Sequence, residues 1–147
     1  MRTRAFLAML ALCFSTQSFG ETAPGENQPA PIKVGRSMVM SGPQAPNGML
    51  LYQGAKVHLD VVNANGGIHG RPIEVITLDD AYNPERSKEN TRELLEQGVE
   101  VLFGYTGTGP TAASAPLAAE AGVAMLAPVS GAVELRGEGF EHVFYTR

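Results

Sequence analysis

Residues 66–80, with the sequence GGIHGRPIEVITLDD, constrain the fold of this chain more than any other stretch. The glycine pair ends a helical pattern, because glycine readily takes the positive φ that a helix C-terminus and a tight turn require. An apolar strand pattern follows, and Asp79 and Asp80 stand at its carboxyl end. A helix, a short turn and a buried strand make half of a βαβ unit, and such sheets bind ligands at the carboxyl ends of their strands. The stretch therefore predicts an α/β fold and the sheet edge where a ligand would bind.

The first twenty residues have the pattern of a secretory signal peptide. Arg2 and Arg4 form a positively charged start, residues 5–14 are an unbroken apolar run, and Ser18 and Gly20 are small residues placed for a signal peptidase. An apolar run of this length is too short to span a membrane. We therefore expect residues 1–20 to be removed and the mature chain to be exported to the periplasm.

Removal of this segment limits the chemistry that the mature chain can perform. Arg2 and Arg4 leave with it, so the formal net charge changes from −4 to −6, and the only cysteine, Cys13, is lost. Disulfides, cysteine-ligated metals and cysteine nucleophiles are thereby excluded. A mildly acidic domain has no electrostatic surface for nucleic acid, so no nucleic-acid partner is expected. Residues 21–31 (ETAPGENQPAP) predict a disordered lead-in, which leaves residues 32–147 for one domain.

Strand and helix patterns alternate along residues 32–147. Short apolar runs predict buried strands, and the segments between them have apolar residues at helical spacing. The predicted strands are residues 32–40, 73–78, 99–103 and 123–127, with a last apolar run at 142–145, and the predicted helices are residues 49–63, residues 84–97 and an alanine-rich helix that ends near residue 121. This order predicts a doubly wound, mostly parallel α/β sheet.

The three predicted helices differ in the faces that they present. The helix of residues 49–63 has a narrow polar wedge and is apolar or small elsewhere, which predicts deep packing against the sheet. The next helix begins with Asn83 and Pro84, a pattern typical of an N-cap followed by proline at the first helical position. This helix is heavily charged and predicts an outer position with one inward stripe. Pro116 lies inside the alanine-rich pattern and indicates either a kink or a late start.

Four loops follow the predicted strands at their carboxyl ends, at residues 41–48, 79–83, 104–110 and 128–132. Three of the four are built mainly from glycine, serine, threonine and proline. Loops of this composition present backbone N–H groups and small hydroxyls to a ligand rather than bulky catalytic groups. The composition therefore favours binding over catalysis.

The loop of residues 104–109 (GYTGTG) follows a strand and precedes a helix, which raises the question of a phosphate or nucleotide site. Its G-x-x-G-x-G spacing is the reverse of the dinucleotide fingerprint, and no lysine follows as a P-loop would require. Thr108 at the helix N-terminus instead favours an anion site for a carboxylate. A plain structural turn is the alternative.

The remaining polar residues give no pattern of a catalytic or metal site. Asp79 and Asp80 are interpreted as turn and capping residues rather than as an ion or phosphoacceptor site. The three histidines lack metal-ligand spacing, and no serine lies in a nucleophile-elbow context. We therefore predict no catalytic residue, no metal and no cofactor, and expect that the protein is not an enzyme.

Short motifs along residues 32–147 resemble a known family in their order and spacing. They are Ser41-Gly42-Pro43, Gly54-Ala55, residues 65–70 (NGGIHG), Asp79-Asp80 with Pro84, Gly104, and Pro128 followed by Glu134-Leu135. Each motif is weak alone, but together they are specific. With them the chain resembles the amino-terminal part of the periplasmic substrate-binding proteins of branched-chain amino acid ABC transporters, which have the type I periplasmic binding fold. The resemblance implies the amino-terminal lobe of that fold, with the second lobe absent.

The resemblance also implies a ligand site. In the family, hydroxyls and backbone groups in the loops after the third and fourth strands hold the α-carboxylate and the ammonium of the ligand. The matching positions in this sequence are Gly107, Thr108, Val129, Ser130 and Gly131. The loop after the first strand, from Ser41 to Asn47, matches the wall around the ligand side chain. Asn47 stands where leucine-type binders often have an aromatic residue, and Gly131 replaces a usual threonine, which disfavours leucine, isoleucine or valine as the ligand.

By this resemblance the protein is expected to be a periplasmic, non-enzymatic solute-binding component of an ABC importer. Its expected ligand is an amino acid or a related small carboxylate, and its expected protein partner is the membrane permease of the importer. A ligand-binding sensor domain on the same fold and an inactive truncated fragment are alternatives that the residues leave open. Family members are much longer, so the sequence is expected to be a fragment or the product of a truncated gene. No membrane span is predicted in the mature chain.

Overall fold

The computed structural model describes residues 29–146; the predicted signal peptide and most of the predicted lead-in lie outside this range. Strands and helices alternate along it. They are β1 (Ile32–Met38), α1 (Ala45–Ala64), β2 (Ile73–Asp79), α2 (Pro84–Glu96), β3 (Val101–Phe103), α3 (Thr108–Glu120), β4 (Ala124–Leu126), a 3-10 helix (Val133–Arg136) and β5 (Val143–Phe144). None of the helices within residues 29–146 is long and apolar enough to cross a membrane.

The five strands form one sheet in the order β2-β1-β3-β4-β5. Every neighbouring pair in it is parallel. The longest pairing joins β1 to β2, from Ile32 opposite Ile73 to Met38 opposite Asp79. The chain passes from β1 to β2 on one side of β1, and then to β3, β4 and β5 on the other side. The sheet is therefore doubly wound. The predicted α/β fold class is confirmed.

Helix α1 begins earlier than the sequence pattern predicts. It starts at Ala45 rather than residue 49, and β1 ends at Met38 rather than residue 40. Proline lies at the start of the helix, where its fixed φ suits a helix and its missing N–H costs nothing. The predicted wall residue Asn47 therefore lies in the first turn of α1 rather than in a loop.

Helices α2 and α3 cover one face of the sheet and enclose the core. The sequence predicts an inward stripe of Ser87, Thr91, Leu94 and Leu95 on α2; the first three are buried, and Leu95 is partly buried. The core cluster consists of Leu94, Val99, Leu102, Tyr105, Ala115, Ala118, Met125 and Val143. Gly35 lets α2 approach β1 closely, because a Cβ at this position would lie 3.2 Å from Leu94 Cβ.

The helix signals in the sequence differ in how well they are borne out. Asn83 caps α2 as predicted, since its side chain accepts a hydrogen bond from the Arg86 N–H at 3.1 Å. Helix α3 runs from Thr108 through Pro116 to Glu120, so Pro116 does not mark a late start. Residue 116 lies near the end of the helix, where the lost backbone hydrogen bond affects only the last turns.

The other face of the sheet carries α1, and the predicted deep packing of this helix is wrong. Within residues 29–146, Gly48 is the one buried residue of α1, while Leu50, Val57 and Val61 are 69, 66 and 55% exposed. Apolar periodicity indicates which residues could pack, but it does not supply the surface that would cover them. Asn63 fixes the end of α1 to β2, because its side chain donates to the Ile73 carbonyl at 2.8 Å and accepts from the Ile73 N–H at 2.7 Å.

Candidate functional site

The sheet order places a ligand site at the carboxyl ends of β1 and β3. The connections leave β1 in one direction toward β2 and in the other toward β3, β4 and β5. Open α/β sheets bind ligands at such a switch point, because the loops that follow the two central strands diverge and leave a crevice. The loops after β1, β2, β3 and β4 meet at this edge.

A cleft of about 210 Å³ lies at this edge. One side is the beginning of α1 and the opposite side is formed by the loops after β3 and β4. The lining residues are Val39, Gln44, Asn47, Leu51, Tyr82, Thr106, Gly107 and Val129. The cleft therefore combines apolar walls with a few side-chain amides and hydroxyls, a composition that suits a small polar ligand.

Gly107 lines the cleft and is the N-cap residue of helix α3. Its φ is +95°, a conformation that favours glycine, and a Cβ at this position would lie 2.5 Å from the ring atom Cε2 of Tyr82. The Gly107 N–H donates to the Val129 carbonyl at 3.1 Å, and the Gly107 carbonyl accepts from the Thr111 hydroxyl at 2.7 Å. The loop after β3 is thereby fixed to the loop after β4 on one side and to α3 on the other.

Thr108 and Ser130 are brought together by the same two loops. Their hydroxyl oxygens share a hydrogen bond at 2.9 Å, and Ser130 Oγ also accepts from the Ala132 N–H at 3.2 Å. Thr108 is the first residue of α3, which has no side-chain cap at its N-terminus. The first N–H groups of a helix have no intrahelical acceptor and attract negative charge. Two hydroxyls thus accompany the N-terminus of α3.

Thr106 has a buried hydroxyl at the cleft. The residue is 8% exposed, and within residues 29–146 its Oγ1 atom has no hydrogen-bond partner. A buried hydroxyl without a partner is costly and is uncommon in native proteins. Because Thr106 also lines the cleft, its unpartnered hydroxyl lies just beneath the surface of the cleft.

Ser41, which is predicted to contact the ligand, hydrogen-bonds to Asp79 in this structure. Its hydroxyl donates to Asp79 Oδ2 at 2.6 Å, and the N–H groups of Met40 and Ala81 donate to Oδ1 at 2.8 and 2.9 Å. Burial alone would raise the pKa of Asp79, but these hydrogen bonds and the nearby Arg86 outweigh burial and lower the pKa below its ordinary value. Asp79 therefore serves as an anionic acceptor that joins the loops after β1 and β2.

Asp80 organises the next turn. Its fully buried carboxylate accepts from the Ser37 hydroxyl and from the Tyr82 N–H, each at 2.8 Å. Burial raises the pKa of Asp80, against the effect of these hydrogen bonds. The turn holds Tyr82 at φ +64°, with its ring against Gly107. The interpretation of Asp79 and Asp80 as turn residues is thus confirmed.

The structure places the predicted site residues unequally. Gly107 and Val129 line the cleft, and Thr108 and Ser130 form a hydrogen-bonded pair in the same two loops. Ser41 is bound to Asp79 as described above, and Gly131 is exposed with no atom within 4 Å of where a Cβ would lie. Four of the six predicted residues, Gly107, Thr108, Val129 and Ser130, are therefore brought together by the loops after β3 and β4.

Sequence reasoning missed four residues of the cleft, namely Val39, Leu51, Tyr82 and Thr106. Thr106 lies in the GYTGTG loop, but the lack of a partner for its hydroxyl depends on the packing of β3 against β4. Tyr82 lies in the loop after β2, and only its positive φ turns the ring toward Gly107. Across residues 29–146, no group of three or more histidine, cysteine, aspartate and glutamate side chains is placed to hold a metal ion.

Comparison with known families agrees with this geometry. The family model described as "Periplasmic binding protein" matches residues 31–147, most of the chain. The chain belongs to this family. Its sheet order and the position of the cleft at the switch point are those of one lobe of a type I periplasmic binding protein, as the sequence resemblance implies.

The matches to individual relatives include most of this periplasmic binding protein, but it spans only part of each relative. The Leu/Ile/Val-binding protein of Escherichia coli K12 is 27% identical over 99% of this chain, which spans 38% of that relative. The structure of the branched-chain amino acid transporter substrate binding protein LivJ from Streptococcus pneumoniae, in complex with isoleucine, is 32% identical with a TM-score of 0.73. The match covers 78% of this chain and 33% of the LivJ chain.

A third relative points in the same direction. An ABC transporter substrate-binding protein from Sphaerobacter thermophilus is 29% identical, with a TM-score of 0.71 over 78% of this chain and 32% of that protein. The relatives are binding proteins rather than enzymes. The chain thus spans about a third of each relative, and the activity of the whole proteins does not transfer to it directly.

Proposed function

We propose that this chain is the amino-terminal solute-binding lobe of an extracytoplasmic binding protein that serves an ABC importer. Its cleft binds the polar head of an amino acid or a related small carboxylate. The relatives whose names describe amino acid binding and ABC transport support this role. The partners would be the small ligand and the membrane permease of the importer, and no catalytic step is involved.

The observation that carries the proposal is the grouping of hydroxyls at one helix N-terminus. Thr106 has a buried hydroxyl without a partner in residues 29–146, and Thr108, the first residue of α3, shares a hydrogen bond with Ser130 of the loop after β4. A carboxylate in the cleft would accept hydrogen bonds from these hydroxyls and from the first N–H groups of α3. The ammonium of an amino acid would meet the carbonyl oxygens of the same loops.

The wall of the cleft bears on the kind of ligand. Asn47 and Gln44 stand at the beginning of α1, where an apolar ligand side chain would require apolar contacts. An amide can donate and accept hydrogen bonds, so it favours a ligand with a polar side chain. We propose that leucine, isoleucine and valine bind less tightly than a polar amino acid or a small dicarboxylate.

We also propose that the protein is processed and exported. The basic start, the apolar run and the small residues of positions 1–20 support a signal peptide, and residues 21–31 would then be the lead-in of the mature chain. The domain would span residues 32–147. A periplasmic location agrees with the name of the family.

The test of the binding site is a titration of the purified chain with a panel of amino acids and small carboxylates. Binding is measured by the changes in the chemical shifts of the backbone amides. A lobe that contacts the ligand on one side only leaves much of it in water, so we expect dissociation constants on the order of 1 mM. The shifts should concentrate at residues 104–108 and 128–131. Thr108→Ala should weaken binding about tenfold, because it removes one hydrogen bond to a charged group.

Glu89→Ala, an exposed change on α2, is the matched control and should leave the affinity unchanged. If no member of the panel moves the amide signals of these two loops, the proposed site is wrong. If the Thr108→Ala variant binds the ligands with the same affinity as the parent chain, the ligand site lies elsewhere on the chain.

A further inference from the structure

Tyr82 is the one aromatic residue that lines the cleft at the switch point among residues 29–146. The residue is 45% exposed, so its side chain is within reach of a molecule in the cleft. Its backbone N–H donates to Asp80, but its hydroxyl has no hydrogen-bond partner within residues 29–146. Tyrosine combines an apolar ring with a polar end, and the polar end of Tyr82 is not used by the fold.

The turn after β2 holds this ring in one direction. Ala81 and Tyr82 have φ values of +49° and +64°, a conformation that is costly for residues with side chains. Asp79 and Asp80 stabilise it, because their carboxylates accept from the N–H groups of Ala81 and Tyr82 at 2.9 and 2.8 Å. The position of the ring is therefore fixed by the backbone and does not depend on a contact of its hydroxyl.

The hydroxyl end of the ring, rather than its base, contacts Gly107. A Cβ at residue 107 would lie 2.5 Å from Cε2, 2.8 Å from Cζ and 2.8 Å from the hydroxyl oxygen of Tyr82. Gly107 precedes Thr108, whose hydroxyl shares a hydrogen bond with Ser130 at 2.9 Å. The loop after β2 thus brings a further hydroxyl to the loop that holds the Thr108–Ser130 pair.

The other side chains of the cleft leave few donors for a carboxylate. No charged side chain lines the cleft among residues 29–146, so neutral donors would have to hold an anion there. Asn47 donates to Gln44 at 3.2 Å on the opposite side, and the Thr106 hydroxyl is buried beneath the surface. The hydroxyl of Tyr82 is therefore the donor that the fold leaves unused on the side of Gly107.

We propose that Tyr82 is a ligand-contacting residue, whose hydroxyl donates a hydrogen bond to the carboxylate of the ligand beside Thr108. The proposal rests on the proposed function, because it requires a carboxylate in the cleft. An O–H group that donates to a carboxylate makes a shorter and stronger hydrogen bond than one between neutral groups. Tyr82 therefore selects ligands with a carboxylate over ligands with an uncharged group in its place.

The experiment is a titration of the purified chain, with its tyrosines labelled with ¹³C at Cζ, with L-glutamine. We expect a saturable shift of the Tyr82 Cζ signal, because the hydroxyl bonded to this carbon gains an acceptor. The shift should follow the same binding curve as the amide signals of residues 104–108. L-glutaminol, in which an alcohol replaces the carboxylate, should leave the Cζ signal in place, as should L-glutamine for the signals of Tyr52 and Tyr145, which lie outside the cleft.

A variant removes the hydroxyl and keeps the ring. Tyr82→Phe should weaken L-glutamine binding about tenfold, because one hydrogen bond to a charged group is lost. Its melting temperature should equal that of the parent, since the hydroxyl has no partner in the fold. Tyr52→Phe is the matched control, because it removes a hydroxyl that also lacks a hydrogen-bond partner within residues 29–146 and lies at a different cavity. It should leave the affinity unchanged.

Three results would overturn the proposal while the proposed function stands. The first is a parental affinity of Tyr82→Phe with an unmoved Cζ signal, while L-glutamine still shifts the amides of residues 104–108. The second is an equal Cζ response to L-glutaminol, which would exclude a carboxylate on this hydroxyl. The third is a lowered melting temperature of Tyr82→Phe, which would assign the hydroxyl to the fold. Failure of the proposed function differs from these, because then no carboxylate of the panel moves the amides of residues 104–108 or 128–131.

Discussion

Replacement of Thr106 by valine separates the stability of the lobe from its binding function. The buried hydroxyl of Thr106 has no partner within residues 29–146, and an unsatisfied buried polar group costs about 1–3 kcal/mol. Valine keeps the branched shape and removes the polar atom. We therefore expect Thr106→Val to raise the free energy of unfolding by about 1 kcal/mol and to weaken ligand binding about tenfold.

Thr111→Val is the matched control, because it removes an equally buried hydroxyl that is satisfied. Thr111 is fully buried and donates to the Gly107 carbonyl at 2.7 Å. Its loss should lower the free energy of unfolding by about 1 kcal/mol. For a domain of this size 1 kcal/mol moves the melting temperature by about 4 °C, so the two variants should differ by about 8 °C in a calorimetric scan.

Two outcomes would refute this reasoning. A loss of stability in Thr106→Val as large as that in Thr111→Val would mean that the Thr106 hydroxyl has a partner in the folded chain. Unchanged affinity in Thr106→Val would mean that the ligand does not use this hydroxyl.

Three further predictions concern the cleft, the turn beside it and the leader. Gly107→Ala should lower the free energy of unfolding by about 1–3 kcal/mol, because the residue has a φ of +95° and its new Cβ would meet Tyr82. Denaturant titration measures this loss, and Gly131→Ala, whose Cβ meets nothing within 4 Å, should stay within about 0.5 kcal/mol of the parent. Asp79 has a lowered pKa, so its contribution to stability is present above its ordinary pKa of about 3.9 and is lost as the pH falls through the lowered value. As the pH is lowered through this acid range, the urea midpoint of the parent should therefore fall more steeply than that of Asp79→Asn. Parallel curves of midpoint against pH would contradict the lowered pKa of Asp79. Mass spectrometry of periplasmic material should find a chain that begins near Glu21, and an intact Met1 chain confined to the cytoplasm would exclude the leader.

The sequence was sufficient for the features that rest on local patterns. The Asn83–Pro84 pair predicts the start of α2, and the stripe of Ser87, Thr91, Leu94 and Leu95 predicts its inward face, in which Leu95 is only partly buried. Strand and helix order then restrict the topology to a doubly wound sheet, because parallel crossovers have one hand. The loops of the site follow from this order alone.

Features that depend on contacts between distant segments could not be predicted in this way. The start of α1 at Ala45 depends on how a proline-containing turn follows β1, and both a loop and a helix are compatible with its residues. The engagement of Ser41 by Asp79 requires β1 and β2 to be paired in register, which brings residues far apart in sequence within hydrogen-bond distance. The missing partner of Thr106 likewise emerges only when β3 and β4 pack together.

Helix α1 is attached to the rest of the lobe mainly at its two ends. Asn63 joins its last turn to β2, and Gly48 lies so close to the segment that follows β1 that a Cβ there would be 1.7 Å from the Val39 carbonyl oxygen. Between these points Leu50, Val57 and Val61 bury little surface, so the helix can open locally while the core around α2 and α3 stays closed. Asn47 and Leu51 of this helix line the cleft. Occupancy of the cleft and local unfolding of α1 are therefore linked equilibria, in which each ligand that binds there holds the helix in place.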